Sequence, residues 1–168
     1  MKEVILLRHA KSDWATEFLK DIDRPLNERG YNDAYTLSQW FAKNVKHPDK
    51  LIISTATRAF STAMIFARAI DLPLNKIELE PRIYESPANR LLTIISERNE
   101  NENRMMMVGH NPGFSDLCQL ISGGTGFDDI PTCALVHLSL DIHKWSEVKA
   151  GCGKVLVYQF PKNFKSQQ

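Results

Sequence analysis

Apolar residues along this chain gather into short unbroken runs, separated by stretches with helical spacing. Val4-Ile5-Leu6-Leu7, Leu51-Ile52-Ile53 and Met105-Met106-Met107-Val108 are continuous apolar runs, as expected of strands covered on both faces. Behind Asn27 the period changes. Ala34, Leu37, Phe41 and Val45 recur at helical spacing, which predicts an Asn27-capped helix running to about Val45 and closed by His47-Pro48. Residues 58–70 predict a second helix, with Ala59, Ala63, Phe66 and Ile70 on one side. The segment 21–25 reads as a loop, 77–79 as a short strand and 89–97 as a helix. Asn111-Pro112 predicts a further helix start, with a capping side chain and proline at the first helical position. Ser122-Gly123-Gly124 predicts its stop. The tail reads as strands over 134–138 and 154–158, joined by a polar hairpin over 144–153.

Strands alternating with helices predict an α/β fold, a three-layer α/β/α sandwich on a mainly parallel sheet. The 168 residues suit one domain, placed over 1–162, with 163–168 a frayed tail. Between the helix at Arg58 and the strand at Met105 there is room for one strand and one helix. No lid domain is expected over a site at the strand ends.

The charge balance shifts the picture. Twenty-one basic and 20 acidic residues leave a net charge of +1, too little global field for nucleic acid or an anionic membrane as the main partner. Positive potential must therefore be local. Cys118, Cys133 and Cys152 form no CxxC pair and read as buried or inert thiols in a reducing compartment. The apolar run at the start is too short for a signal peptide, and nothing approaches a membrane span. A soluble cytoplasmic protein is expected.

The candidate chemistry lies at the ends of the three most apolar strands. The first runs into Arg8-His9, the second into Ser54 with Arg58 opening the next helix, the third into Gly109-His110. Ligands in open α/β sheets sit at the carboxyl ends of the strands, so Arg8, His9, Arg58 and His110 converge. Singly, these residues read as solvated strand ends, a helix-surface charge or a capping residue; at three strand ends together they read as a site. Two guanidiniums suit phosphate oxygens, and the helix after Asn111 would aim its N–H groups at an anion. A neutral imidazole among them can act as a nucleophile. His47, His137 and His143 read as structural or solvent-facing. No HExxH or paired ligand spacing occurs, so neither metal nor cofactor is expected. The stretch 123–126 lacks the Lys-Ser/Thr of a P-loop and reads as a helix stop.

These segments resemble the histidine phosphatase superfamily, which includes the phosphoglycerate mutases. Leu7-Arg8-His9-Ala10-Lys11-Ser12-Asp13-Trp14 resembles its first signature, and Arg24-Pro25-Leu26-Asn27-Glu28-Arg29-Gly30 its second turn. Ser54-Thr55-Ala56-Thr57-Arg58-Ala59-Phe60-Ser61-Thr62-Ala63 resembles its SxxxRAxxTA segment, and Val108-Gly109-His110-Asn111-Pro112-Gly113 its last histidine motif. Ala10 replaces the usual glycine, Lys11 stands where mutases carry glutamate, and Ala15 where many phosphate-ester members have asparagine. The HAKSDW and DRPLNERG segments are instead similar to the SixA-type phosphohistidine phosphatases.

The resemblance implies a phosphoglycerate mutase-like fold with His9 as nucleophile. It implies Arg8, Arg58 and His110 as phosphate-binding residues, with Ser12 counted beside them as substrate-binding. Glu85, in Arg82-Ile83-Tyr84-Glu85-Ser86-Pro87, is the candidate general acid. The function expected is metal-independent removal of phosphate from phosphohistidine on a partner protein, since an open pocket suits a phosphorylated side chain. The alternatives are a small-molecule phosphomonoesterase on the same site, a mutase, which would need a closed pocket, and a non-catalytic domain that binds phosphoproteins.

Overall fold

The computed structural model describes residues 1–124 and 126–165. Thr125, in the glycine-rich stretch, and residues 166–168 of the expected frayed tail lie outside the described residues.

The apolar runs form the centre of a six-stranded sheet. Lys2–Arg8 is β1, Lys50–Ile53 β2, Ile77–Leu79 β3, Arg104–Gly109 β4, Leu135–Leu140 β5 and Gly153–Gln159 β6, ordered β3-β2-β4-β1-β5-β6. β1, β2, β3 and β4 pair in parallel, while β5 runs antiparallel to both its neighbours. The helices are α1 (Glu28–Asn44), α2 (Thr57–Ala69), α3 (Ala88–Ser96), α4 (Gly113–Ser122) and the one-turn α5 (Lys162–Lys165).

Alternation along β1 explains the three layers. Val4 and Leu6 face a core built with Leu91, Ile95, Phe114 and Leu117 of α3 and α4. Ile5 and Leu7 face the opposite core, with Leu37 and Phe41 of α1 and Phe66 of α2. A strand that feeds two cores has no polar face, which is why the runs are continuous. α1 starts where its cap predicts, with Asn27 Oδ1 accepting from the Gly30 N–H at 2.8 Å. α4 ends on Gly123 in the left-handed region, φ 63°.

Three expectations are corrected. Pro112 is the residue before α4 rather than its first helical residue, and Asn111 does not cap it. The Asn111 amide instead donates to Asp129 Oδ1 at 2.9 Å and to the Ile130 carbonyl at 3.0 Å, tying down the loop before β5. The connection between β5 and β6 is not simply polar: Trp145 is fully buried and its indole N–H donates to the Glu102 carbonyl at 2.8 Å. The segment 21–25 is not wholly irregular either, because Asp21–Asp23 form a 3-10 turn. At the tail, the Phe164 ring lies 6.1 Å from Trp40. No helix among the described residues is long and apolar enough to cross a membrane. Burial pushes the Cys118 thiol up to about 12 and raises that of Cys133 as well, which keeps both protonated and unreactive.

At the end of β1 opposite Arg8, Arg104 forks onto Glu3 at 2.6 and 2.7 Å and His137 Nε2 lies 2.7 Å from the same carboxylate. The Arg104 hydrogen bonds lead in lowering the Glu3 carboxyl from 4.5 to about 2. A depressed acid stabilises the fold above its unfolded value and loses that stabilisation as pH falls through its folded value. The difference in urea midpoint between the protein and Glu3→Gln is therefore expected to shrink between about pH 5 and pH 2. A difference that stays constant over that range would contradict the assignment.

Candidate active site

Strand register brings the candidate residues together. Arg8 lies opposite Gly109 in the parallel pair β1–β4, and Ile53 lies opposite Val108 in β2–β4. The three runs therefore end at one level, and the next residues, His9, Ser54 and His110, emerge side by side at the carboxyl edge. Backbone bonds hold that edge: His9 N–H donates to the Gly109 carbonyl and Ser54 N–H to the Val108 carbonyl, both at 3.0 Å. Arg58 comes from the first turn of α2 and is buried. Thr62, one turn further on, accepts from the Ala10 N–H at 3.0 Å and donates to the Arg58 carbonyl at 2.7 Å. That pins the loop after β1 to the helix that carries Arg58.

The protonation state of His9 follows from its contacts. Its Nδ1 lies 2.7 Å from the Ala10 carbonyl, which can only accept, so Nδ1 carries the proton. Burial drives the pKa of the ring down to about 3, with the charges of Arg58 and Arg8 acting in the same direction. The imidazole is thus neutral, and Nε2 holds a lone pair. Arg58 Nε–H donates to that nitrogen at 3.3 Å. His110 stacks obliquely on His9, with ring centroids 5.2 Å apart, and its Nε2 lies 2.7 Å from Ser54 Oγ. Burial first, then Arg58, lowers the His110 pKa to about 4.

Both arginines already hold carboxylates. Arg8 Nη1 donates to the Ile130 carbonyl at 2.6 Å and lies 3.4 Å from Asp129 Oδ1. Arg58 Nη1 donates to the Asp21 carbonyl at 2.6 Å, and Nη2 to Asp21 Oδ2 at 3.0 Å. The same carboxylate accepts from the Tyr84 hydroxyl at 2.6 Å and from Arg24 Nη2 at 3.0 Å. Among the described residues, Arg8 Nε, Arg24 Nε and His110 Nδ1 are buried without a hydrogen-bond partner. Unpaired buried polar atoms are rare, and three of the five among the described residues belong to this cluster.

Ser12 and Glu85 make no direct hydrogen bond to Arg8, His9, Arg58 or His110. The Ser12 hydroxyl accepts from Arg24 Nη1, so it supports that guanidinium. Glu85 is exposed in a cleft of about 450 Å³ that also has His110, Pro112 and Asp116 in its wall. Its φ of 52° is left-handed, an uncommon conformation for a residue with a side chain. Gly113 allows this loop to approach α4, because a Cβ there would lie 2.1 Å from the Ser86 carbonyl oxygen.

Asp21, Arg24, Ser54 and Tyr84 are site residues to which sequence reasoning assigned no chemistry. The signal for Arg24 was its place in the second motif. Its guanidinium lies 3.6 Å from the ring centre of Trp14, which closes the first motif. For Asp21 and Tyr84 there was no local signal.

The model of the histidine phosphatase superfamily, branch 1, matches residues 4–91. An uncharacterized protein of Mycobacterium tuberculosis is 29% identical over 165 residues, covering 93% of this chain and 100% of its own. Among solved structures, SixA of Agrobacterium tumefaciens, a proposed phosphohistidine phosphatase, is 26% identical with a TM-score of 0.81, over 94% of this chain and 97% of that one. The protein histidine phosphatase SixA complexed with tungstate gives 20% identity and a TM-score of 0.76, over 96% and 99% of the two chains. At that identity the likeness is one of fold. The six-stranded sheet and its helix layers match the phosphoglycerate mutase-like fold of these SixA structures.

Proposed function

The chain belongs to the histidine phosphatase superfamily, and from that premise we propose that it hydrolyses phosphohistidine on a partner protein through a phosphohistidine formed on its own His9. The supporting observation is the fixed tautomer of His9, whose Nδ1–H is held by the Ala10 carbonyl and whose Nε2 lone pair lies beside Arg58. In the first step Nε2 attacks phosphorus and the bond from phosphorus to the substrate nitrogen breaks, while Arg8, Arg58 and His110 hold the non-bridging oxygens. The departing imidazole takes a proton from water. Water then attacks phosphorus on His9, and inorganic phosphate leaves with the Nε2 lone pair restored. The guanidiniums supply the positive charge, so no metal is needed. Ser12 acts through Arg24, as a positioning residue. We place these residues in one domain over 1–162, acting in the cytoplasm.

The substrate class is supported by the connection between α2 and β4, where β3, α3 and two 3-10 turns add no domain that could close over the strand ends. A phosphate ester leaves as an alkoxide unless an acid protonates it, and a positioned acid contributes roughly 10²–10⁴-fold. Imidazole is a far better leaving group. Glu85→Gln is therefore expected to slow ester hydrolysis much more than hydrolysis of a phosphohistidine protein. The measurement is kcat/KM for both substrates, with a chelator present throughout. Equal losses on both would give Glu85 a general structural or binding role, a larger loss on the phosphohistidine protein would overturn the substrate assignment, and no loss on either would remove Glu85 as the acid.

A further inference from the structure

Asp21 sits where the proposed chemistry needs a phosphate oxygen. The Nε–H and one Nη2–H of a guanidinium project along the same edge. On Arg58 that edge holds His9 Nε2 at 3.3 Å and Asp21 Oδ2 at 3.0 Å. A phosphoryl group in line with His9 Nε2 must place an oxygen on this edge, so it and the Asp21 carboxylate exclude each other. We propose that Asp21 is a displaceable internal competitor of phosphate, which yields Arg58 and Arg24 to the substrate and retakes them to expel the product. The proposal rests on the reading of Arg58 as phosphate-binding.

Three observations favour displacement over a permanent structural bridge. The Asp21 side chain is 44% exposed while that of Arg58 is 6% exposed, so the carboxylate can turn to solvent and the arginine cannot. The loop has a separate anchor, because Arg58 Nη1 holds the Asp21 backbone carbonyl at 2.6 Å. Only the side chain need rotate. A groove of about 250 Å³ bounded by Trp14, Thr16, Leu19 and Arg24 also has Asp21 in its wall and gives the carboxylate somewhere to go.

The consequence is selective. A phosphorylated protein brings contacts beyond its phosphoryl group, and inorganic phosphate brings none. A carboxylate held by Arg58, Arg24 and Tyr84 therefore competes far better with the product than with the substrate. The hydrogen bonds from Tyr84, Arg24 and Arg58 hold the Asp21 carboxyl well below the usual range, so the competitor stays charged.

The test is binding of inorganic phosphate and vanadate by calorimetry, with product inhibition followed in progress curves. Asp21→Asn keeps the backbone anchor and removes the charge. Both oxyanions should bind roughly tenfold tighter, as expected for losing one charge-assisted competitor. Tyr84→Phe removes a donor from the carboxylate without touching either arginine, and should tighten phosphate by roughly two- to threefold. It carries the test if Asp21→Asn does not fold. If the wild-type protein binds both oxyanions and neither variant binds them tighter, the role of Asp21 is overturned. If neither the wild-type protein nor either variant binds an oxyanion, the phosphatase reading itself fails.

Discussion

Replacing His9 with alanine is expected to lower kcat by about 10⁴-fold or more, as for other covalent catalysts that lose their nucleophile, while vanadate still binds. The size of the effect follows from the absence of a substitute. His110 is the other imidazole at the strand ends, but its Nε2 is engaged by Ser54 Oγ at 2.7 Å and its Nδ1 is buried. Oxyanion binding should survive, because Arg8 and Arg58 take their positions from β1 and α2 and not from the imidazole. The check has two parts. Single-turnover assays with labelled phosphohistidine protein measure the rate, and rapid acid-free quenching followed by mass spectrometry locates the trapped phosphate. A variant retaining a tenth of the wild-type rate, or phosphate trapped on another residue, would remove His9 as nucleophile.

Arg58→Ala should lower kcat/KM by about 10³-fold, in the range found for guanidiniums that stabilise a transferring phosphoryl group. Arg58 has two duties. Its Nε–H orients the His9 lone pair at 3.3 Å, and its Nη2 lies on the edge where phosphate oxygens would bind. Arg58→Lys separates charge from geometry. Lysine keeps the charge but offers no fork and cannot reach both partners at once. It should recover less than about a tenth of the lost activity. Full recovery with lysine would mean that charge alone matters. Thermal unfolding of each variant distinguishes a catalytic loss from a folding loss, since Arg58 is buried and also ties down Asp21.

Much of the fold was legible in the chain because its signals are local. The inner residues of β1, β2 and β4 are apolar since each strand supplies both cores, and α1 begins at a side chain that bonds the backbone three residues on. The helix stop at Gly123 is equally local, one left-handed residue after the last turn. Where reading failed, a distant partner decided. Asn111 has the chemistry of a cap, yet its amide meets Asp129 and Ile130, 18 and 19 positions away. Trp145 lies in a polar stretch, but the Glu102 carbonyl, 43 positions back, accepts from its indole.

The candidate site divides in the same way. That Arg8, His9, Arg58 and His110 belong together was readable, because each follows a buried strand or opens the helix beyond it, and parallel strands in register end at one edge. What each group does there was not readable. The tautomer of His9 depends on how its ring turns back to Ala10, and its neutrality on burial by elements remote in the chain. Asp21 looked like a loop acid until the fold carried it across 37 positions to Arg58 and 63 to Tyr84. Propensity, periodicity and capping act over a few residues and are written in the chain itself. Desolvation and charge pairing act through space, so only the folded arrangement of distant segments determines them.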